Sequence, residues 1–328
     1  MKSNFARSLA FVVSGILVPQ PLFPATAAVK DDPRFHDHLK DSPKPTDIKF
    51  NCGNPEKQTL GQFLSRLDPD KRHTVRVTGA CTENLAVIGF NRLTLLAEPG
   101  ASISDASAGT DFVVNAQNTL TFDFEGFTVN GGLGVSCGEY STCLFAGNTF
   151  QNSADSGVRL ARATAILQGD TIQNNAGRGI SMTAGAQATI FGETIQDNGA
   201  AGALVAFGSN LTVFGSTIQR SGGFGVRVLQ HGTARIIDST IQGNGIDGLR
   251  VESAGEASVE NGGVGTTIAG NGGAGVRITD LSMVVFLGPD FISGNLGGSD
   301  VVCQPQFSAT RGVFTDVVGA TITSCIEP

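Results

Sequence analysis

The 328 residues carry 22 Lys and Arg against 29 Asp and Glu, and the formal charge of −7 argues against nucleic acid or an anionic membrane surface as a partner. Forty-four glycines, a single tyrosine and no tryptophan suit one domain with a core of small and branched side chains.

Residues 1–28 read as a cleaved secretory signal, with Lys2 and Arg7 ahead of the apolar run Leu9 to Val18 and Ala25-Thr26-Ala27 as the cleavage site. The run is too short to span a bilayer, so no membrane insertion is expected after cleavage. Losing Lys2 and Arg7 leaves a mature chain near −9, secreted or periplasmic. Residues 29–47 are rich in charge and proline, as a solvated linker would be. His36-Asp37-His38 has spacing that suits a metal, but the charged linker around it is the simpler account. From 48 to 328 a single repeat domain is expected, capped by residues 48–73 and 299–328. Asn54-Pro55 opens a predicted helix in which Leu60, Phe63, Leu64 and Leu67 form one apolar stripe to cover the open end.

The body of the chain is periodic. Thr-Ile-Gln recurs at Thr171, Thr194, Thr217 and Thr240, each 23 residues after the last. A Gly-apolar-any-apolar element keeps the same register: Gly157, Gly179, Gly202, Gly225, Gly248 and Gly275 each begin one. Within a unit the apolar residues alternate, as in Ala188, Ile190 and Ile195, or Leu211, Val213 and Ile218. Period-2 patterning in short runs broken by Gly, Asn, Asp or Ser predicts strands with one buried face. Two helices of ten or more residues do not fit between these glycines, so the unit is three short strands.

On these residues the chain resembles the right-handed parallel β-helix family, the fold of pectate lyases and polygalacturonases, over roughly 48–328. The resemblance implies an all-β, single-stranded solenoid of about nine rungs of roughly 23 residues, with a disulfide-closed C-terminal cap. Thr74 through Leu85 resembles the first rung of many exported β-helices. A column of Asn or Ser precedes each repeat glycine: Ser153, Asn175, Asn198, Ser221, Asn244, Asn271 and Asn295. It is expected to supply the left-handed backbone of a sharp turn and an amide ladder between rungs. Six cysteines in an exported chain read as disulfides rather than metal ligands. Fifteen connectivities are open; proximity in the repeat suggests Cys52 with Cys81, Cys137 with Cys143 and Cys303 with Cys325.

Residues at one repeat position stack about 4.8 Å apart, so chemistry is sought in columns. Arg227, Arg250 and Arg277 form a basic column with Glu252 on its face. Polysaccharide lyases of this fold resemble it in setting Arg and Ca²⁺ against an acidic sugar, and no other cofactor or metal is expected. Asp170 and Glu193 lie one rung apart, near the roughly 5 Å separation of a retaining glycosidase. Gln151, Gln173, Gln196, Gln219 and Gln242 form a ladder suited to a sugar polymer or to stiffening the stack. His231-Gly232 and Asp247 are isolated partial matches to polygalacturonases, whose Asn-Thr-Asp, Asp-Asp and Arg-Ile-Lys elements are missing. Uniform rungs, expanded only near 262–267, leave few walls for a cleft. Two readings result. One is an exported, non-catalytic monomer acting as a surface scaffold or glycan-binding module, its partner a polysaccharide or cell-surface protein. The other is a lyase or hydrolase of acidic polysaccharide working along Arg227, Arg250, Arg277 and Glu252.

Overall fold

The computed structural model describes residues 46–53, 58–304 and 311–323. The signal segment, His36-Asp37-His38, Asn54-Pro55 and Cys325 lie outside the described residues. A typical turn holds three strands, for example Ile180–Thr183, Gln187–Phe191 and Thr194–Gln196. Each pairs in parallel with its equivalent one repeat later, joining Ile180 to Ala203, Gln187 to Asn210 and Thr194 to Thr217. The 23-residue period is therefore the register of the ladder, and inward residues stack on like residues. Ile172, Ile195, Ile218, Ile241, Ile268 and Ile292 form one such column, all fully buried.

First strands stack into an 11-stranded sheet from Leu85–Ile88 to Ile322–Thr323. Second and third strands join into a 21-stranded sheet. They merge because Met283–Ser293 runs through both columns, pairing with Glu256–Glu260 and then with Thr267–Ala269. The solenoid has about 11 turns rather than nine. The extra turns lie at the ends, where the repeat motif has decayed but strand pairing has not. Thr46–Asn51 pairs with Arg72–Thr78. At the other end Val301–Gln304 and Arg311–Val318 continue the stack, so the segment read as a C-terminal cap adds strands to the ladder. Cys303 is disulfide-bonded and buried there.

The helix α1 (Leu60–Leu64) starts later than Asn54-Pro55 suggested. Thr59 is its N-cap, in a reciprocal capping box with Gln62. The Glu83 carboxylate accepts from the N–H groups of Leu60 (2.9 Å) and Gly61 (2.8 Å), a favourable place for negative charge. Leu60 and Leu64 are buried in the core, and the Phe63 ring lies 5.3 Å from that of Phe50. Cys52 is bonded to Cys81 and Cys137 to Cys143.

The repeat glycines are close-approach positions. A Cβ on Gly225 would meet Ile241 Cγ2 at 2.4 Å and the Gly248 carbonyl oxygen at 2.5 Å. The left-handed backbone does not belong to the Asn column. It falls one residue earlier, at Asn174 and Asp197 (φ 56°) and at Gly243, Gly270 and Gly294. This residue turns the chain so that the following Asn points inward. Asn175, Asn198, Asn244 and Asn271 are buried, and Asn295 is half-buried. Each amide bonds its neighbour: Asn175 Nδ2 donates to Asn198 Oδ1, and Asn244 Nδ2 to Asn271 Oδ1, both at 2.9 Å.

Candidate functional site

The basic column lies on the 11-stranded sheet, where in-register pairing stacks Arg227, Arg250 and Arg277 on successive rungs. The guanidinium groups do not splay into solvent. Arg227 bonds Glu252 Oε1, and Arg250 Nε bonds Glu252 Oε2 at 3.0 Å. Arg250 Nη1 reaches Asp247 Oδ2 at 3.3 Å, and Arg277 Nε reaches the same oxygen at 3.0 Å. The Ala274 N–H donates to Asp247 Oδ1 at 2.8 Å. Asp247 is fully buried and Glu252 nearly so, while Arg227 also lies over the Phe224 ring at 5.1 Å. All four carboxylate oxygens are taken by protein donors, so these residues do not fit Ca²⁺, which needs six or more oxygen ligands. Asp247, a partial motif match in the sequence, is thus the hub that links two of the arginines.

Asp170 and Glu193 are not on the surface. Both are 1% exposed, on the inner side of the turn between the second and third strands. Asp170 Oδ1 accepts from Asn148 N at 2.6 Å, and Glu193 Oε1 accepts from Asp170 N at 3.1 Å. Ser216, Ser239, Thr266 and Asp290 continue this second internal ladder. Burial is the main cause that raises both carboxyls, Asp170 to about 6 and Glu193 to about 9, the charge of Asp170 adding to the second. Neither can touch a glycosidic bond. The signal that finds this ladder is the Gly before Asn148, Asp170, Glu193 and Ser216, parallel to the residue before each ladder Asn. The glutamine column is outward and self-bonded: Gln196 donates to Gln173 and Gln219 to Gln196, each at 3.0 Å.

A recess of about 310 Å³ opens at the turn between first and second strands, lined by Tyr140, Thr142, Arg162, Thr164, Gly185 and Gln187 among others. Residue-level pattern reading missed it, because it arises where Ala163, Ala184 and Gly185 are small on adjacent rungs. Among the described residues no group of three or more His, Cys, Asp or Glu is placed to hold a metal ion.

The family model described as "Right handed beta helix region" matches residues 132–261. The chain is a right-handed parallel β-helix protein. The A-module of the mannuronan C-5 epimerase AlgE6 of Azotobacter vinelandii is 18% identical to this β-helix protein, covering 70% of this chain and 71% of that one at a TM-score of 0.50. ORF18 of Geobacillus virus E2 is 11% identical with a TM-score of 0.67 over 88% of this chain, which spans just 65% of the viral one. A mutant of the periplasmic alginate epimerase AlgG gives 14% identity and a TM-score of 0.58, over 84% of this chain and 77% of that one. At such identities the likeness is of fold. No curated protein matches the β-helix protein.

Proposed function

We propose that this β-helix protein is exported and binds a polysaccharide or surface glycan without cleaving it. The observation that carries the reading is the closed network in which Asp247 and Glu252 hold Arg227, Arg250 and Arg277. A lyase or hydrolase needs a base or acid within reach of the sugar and positive charge free to meet its carboxylate. Here the carboxylates of the basic face are occupied, and Asp170 and Glu193 are enclosed in the core. What remains for a ligand is a solenoid surface of Thr and Gln columns with a recess at one edge, a binding surface without catalytic walls. Disulfides fit an oxidising compartment, and AlgG is described as periplasmic, which supports export.

The test is native electrophoresis of the mature protein through gels containing neutral or acidic polysaccharides, with the polymers analysed afterwards for new reducing ends. Retarded migration with no new ends is the expected result. Migration unchanged by every polymer, or cleavage of any of them, overturns the reading.

A further inference from the structure

The geometry points to the recess at Tyr140 as the subsite that seats an uncharged pyranose unit of a glycan chain, an inference that rests on the glycan-binding reading above. Tyr140 is the chain's single tyrosine and is 76% exposed on the wall of the recess. An exposed aromatic ring offers an apolar face for the C–H surface of a sugar and a hydroxyl at its rim.

The turn that carries it is clamped. Cys137 and Cys143 lie on either side of Tyr140, both buried, and their disulfide ties the strand before the turn to the strand after it. The paired positions one rung on are Leu160 and Ala165, and the next Met182 and Ala188, so this clamp is special to the rung that bears the tyrosine. Glu139 and Tyr140 both have left-handed backbone (φ 45° and 64°); the corresponding turns place glycine second at Gly185 and Gly208 and a side chain second at His231, Ala254 and Leu281. A bulky side chain held there by a covalent brace is pre-positioned, which lowers the ordering cost of binding.

The lining chemistry selects the ligand. Thr142, Thr164 and Gln187 offer hydroxyl and amide groups that match neutral sugar hydroxyls. Arg162 is already ion-paired with Glu139, so the recess presents no uncompensated positive charge. The net charge of −7 adds general repulsion of a polyanion. Ala163, Ala184 and Gly185 leave the room a ring needs. Phe207, exposed on the same column of turns three rungs along, stands roughly 14 Å away by rung spacing, so a linear chain can reach both tips.

The experiment is isothermal titration of the mature protein with cellohexaose, mannohexaose, xylohexaose and hexagalacturonate, in parallel with Tyr140→Asn and Tyr140→Phe. Asparagine suits the left-handed backbone and phenylalanine keeps the ring, and circular dichroism checks that each variant folds. The expected result is binding of at least one neutral hexaose, weakened about tenfold or more by Tyr140→Asn and within about threefold of wild type in Tyr140→Phe. Neutral binding untouched by Tyr140→Asn, or lost equally in Tyr140→Phe, overturns the subsite while leaving the glycan-binding reading standing. Preference for hexagalacturonate overturns the uncharged ligand. No binding to any of the four overturns the subsite, and polymer retardation in the gels then decides the broader reading separately.

Discussion

Asn198 shows how one side chain holds two successive rungs together. Its Oδ1 accepts from Asn175 Nδ2 at 2.9 Å and from Asn175 N at 3.2 Å, and its Nδ2 donates to the Ile172 carbonyl at 3.1 Å. Removing it strands these buried partners at roughly 1–3 kcal/mol each. Asn198→Ala is therefore expected to destabilise the protein by about 3 kcal/mol or more, read as a shift of the urea midpoint. Glu193 makes a different prediction. Its folded value of about 9 lies above its ordinary 4.5, so between those values the folded chain holds more protons than the unfolded one. Stability must fall as pH rises through that window. In urea titrations from pH 5 to pH 9, Glu193→Gln should flatten the fall and exceed wild type at pH 8. Equal slopes would contradict the burial of this carboxyl. The sequence misplaced Glu193 for a physical reason. Alternation assigns sides by parity, but a left-handed residue such as Gly192 shifts the phase by one and turns the next residue inward.

Elements differ in what braces them. Cys137–Cys143 closes a loop of only 6 residues, whereas Cys52–Cys81 closes one of 29. Loop-closure entropy gives about 2 kcal/mol for the first and about 3.5 kcal/mol for the second. Paired Cys→Ala replacements, compared by thermal unfolding, should follow that order. The expanded segment 261–266 folds around one carboxylate: Asp238 Oδ1 accepts from the N–H groups of Gly262 (2.8 Å), Val264 (3.1 Å) and Gly265 (2.9 Å). Asp238→Ala is expected to speed hydrogen exchange at those three amides and leave the Thr217–Gln219 strand unchanged. Strand order and register were legible in the central rungs because the repeat glycines and Thr-Ile-Gln mark the same position on each of them. The end turns were not, because Thr46–Asn51 and Arg311–Val318 pair through backbone groups that need no motif.

At the scale of the whole molecule, the solenoid converts sequence columns into surfaces, and the surfaces differ in what they have left to offer a ligand. The basic column was legible as a column from its period. Its ion-pairing was legible only for Glu252, two residues from Arg250 on one strand face. Asp247 was hidden, since it reaches Arg277 across a turn and a rung that spacing does not reveal. With both carboxylates committed, the arginines brace adjacent rungs, and the proposed glycan binding is assigned to the edge recess and the polar columns. The most direct test is product release from an acidic polysaccharide by the mature protein in the presence of Ca²⁺, followed as unsaturated ends and compared with Arg250→Ala. No product from either protein, with Arg250→Ala less stable than wild type, is the predicted result. Unsaturated product from wild type that vanishes in a folded Arg250→Ala would contradict the account.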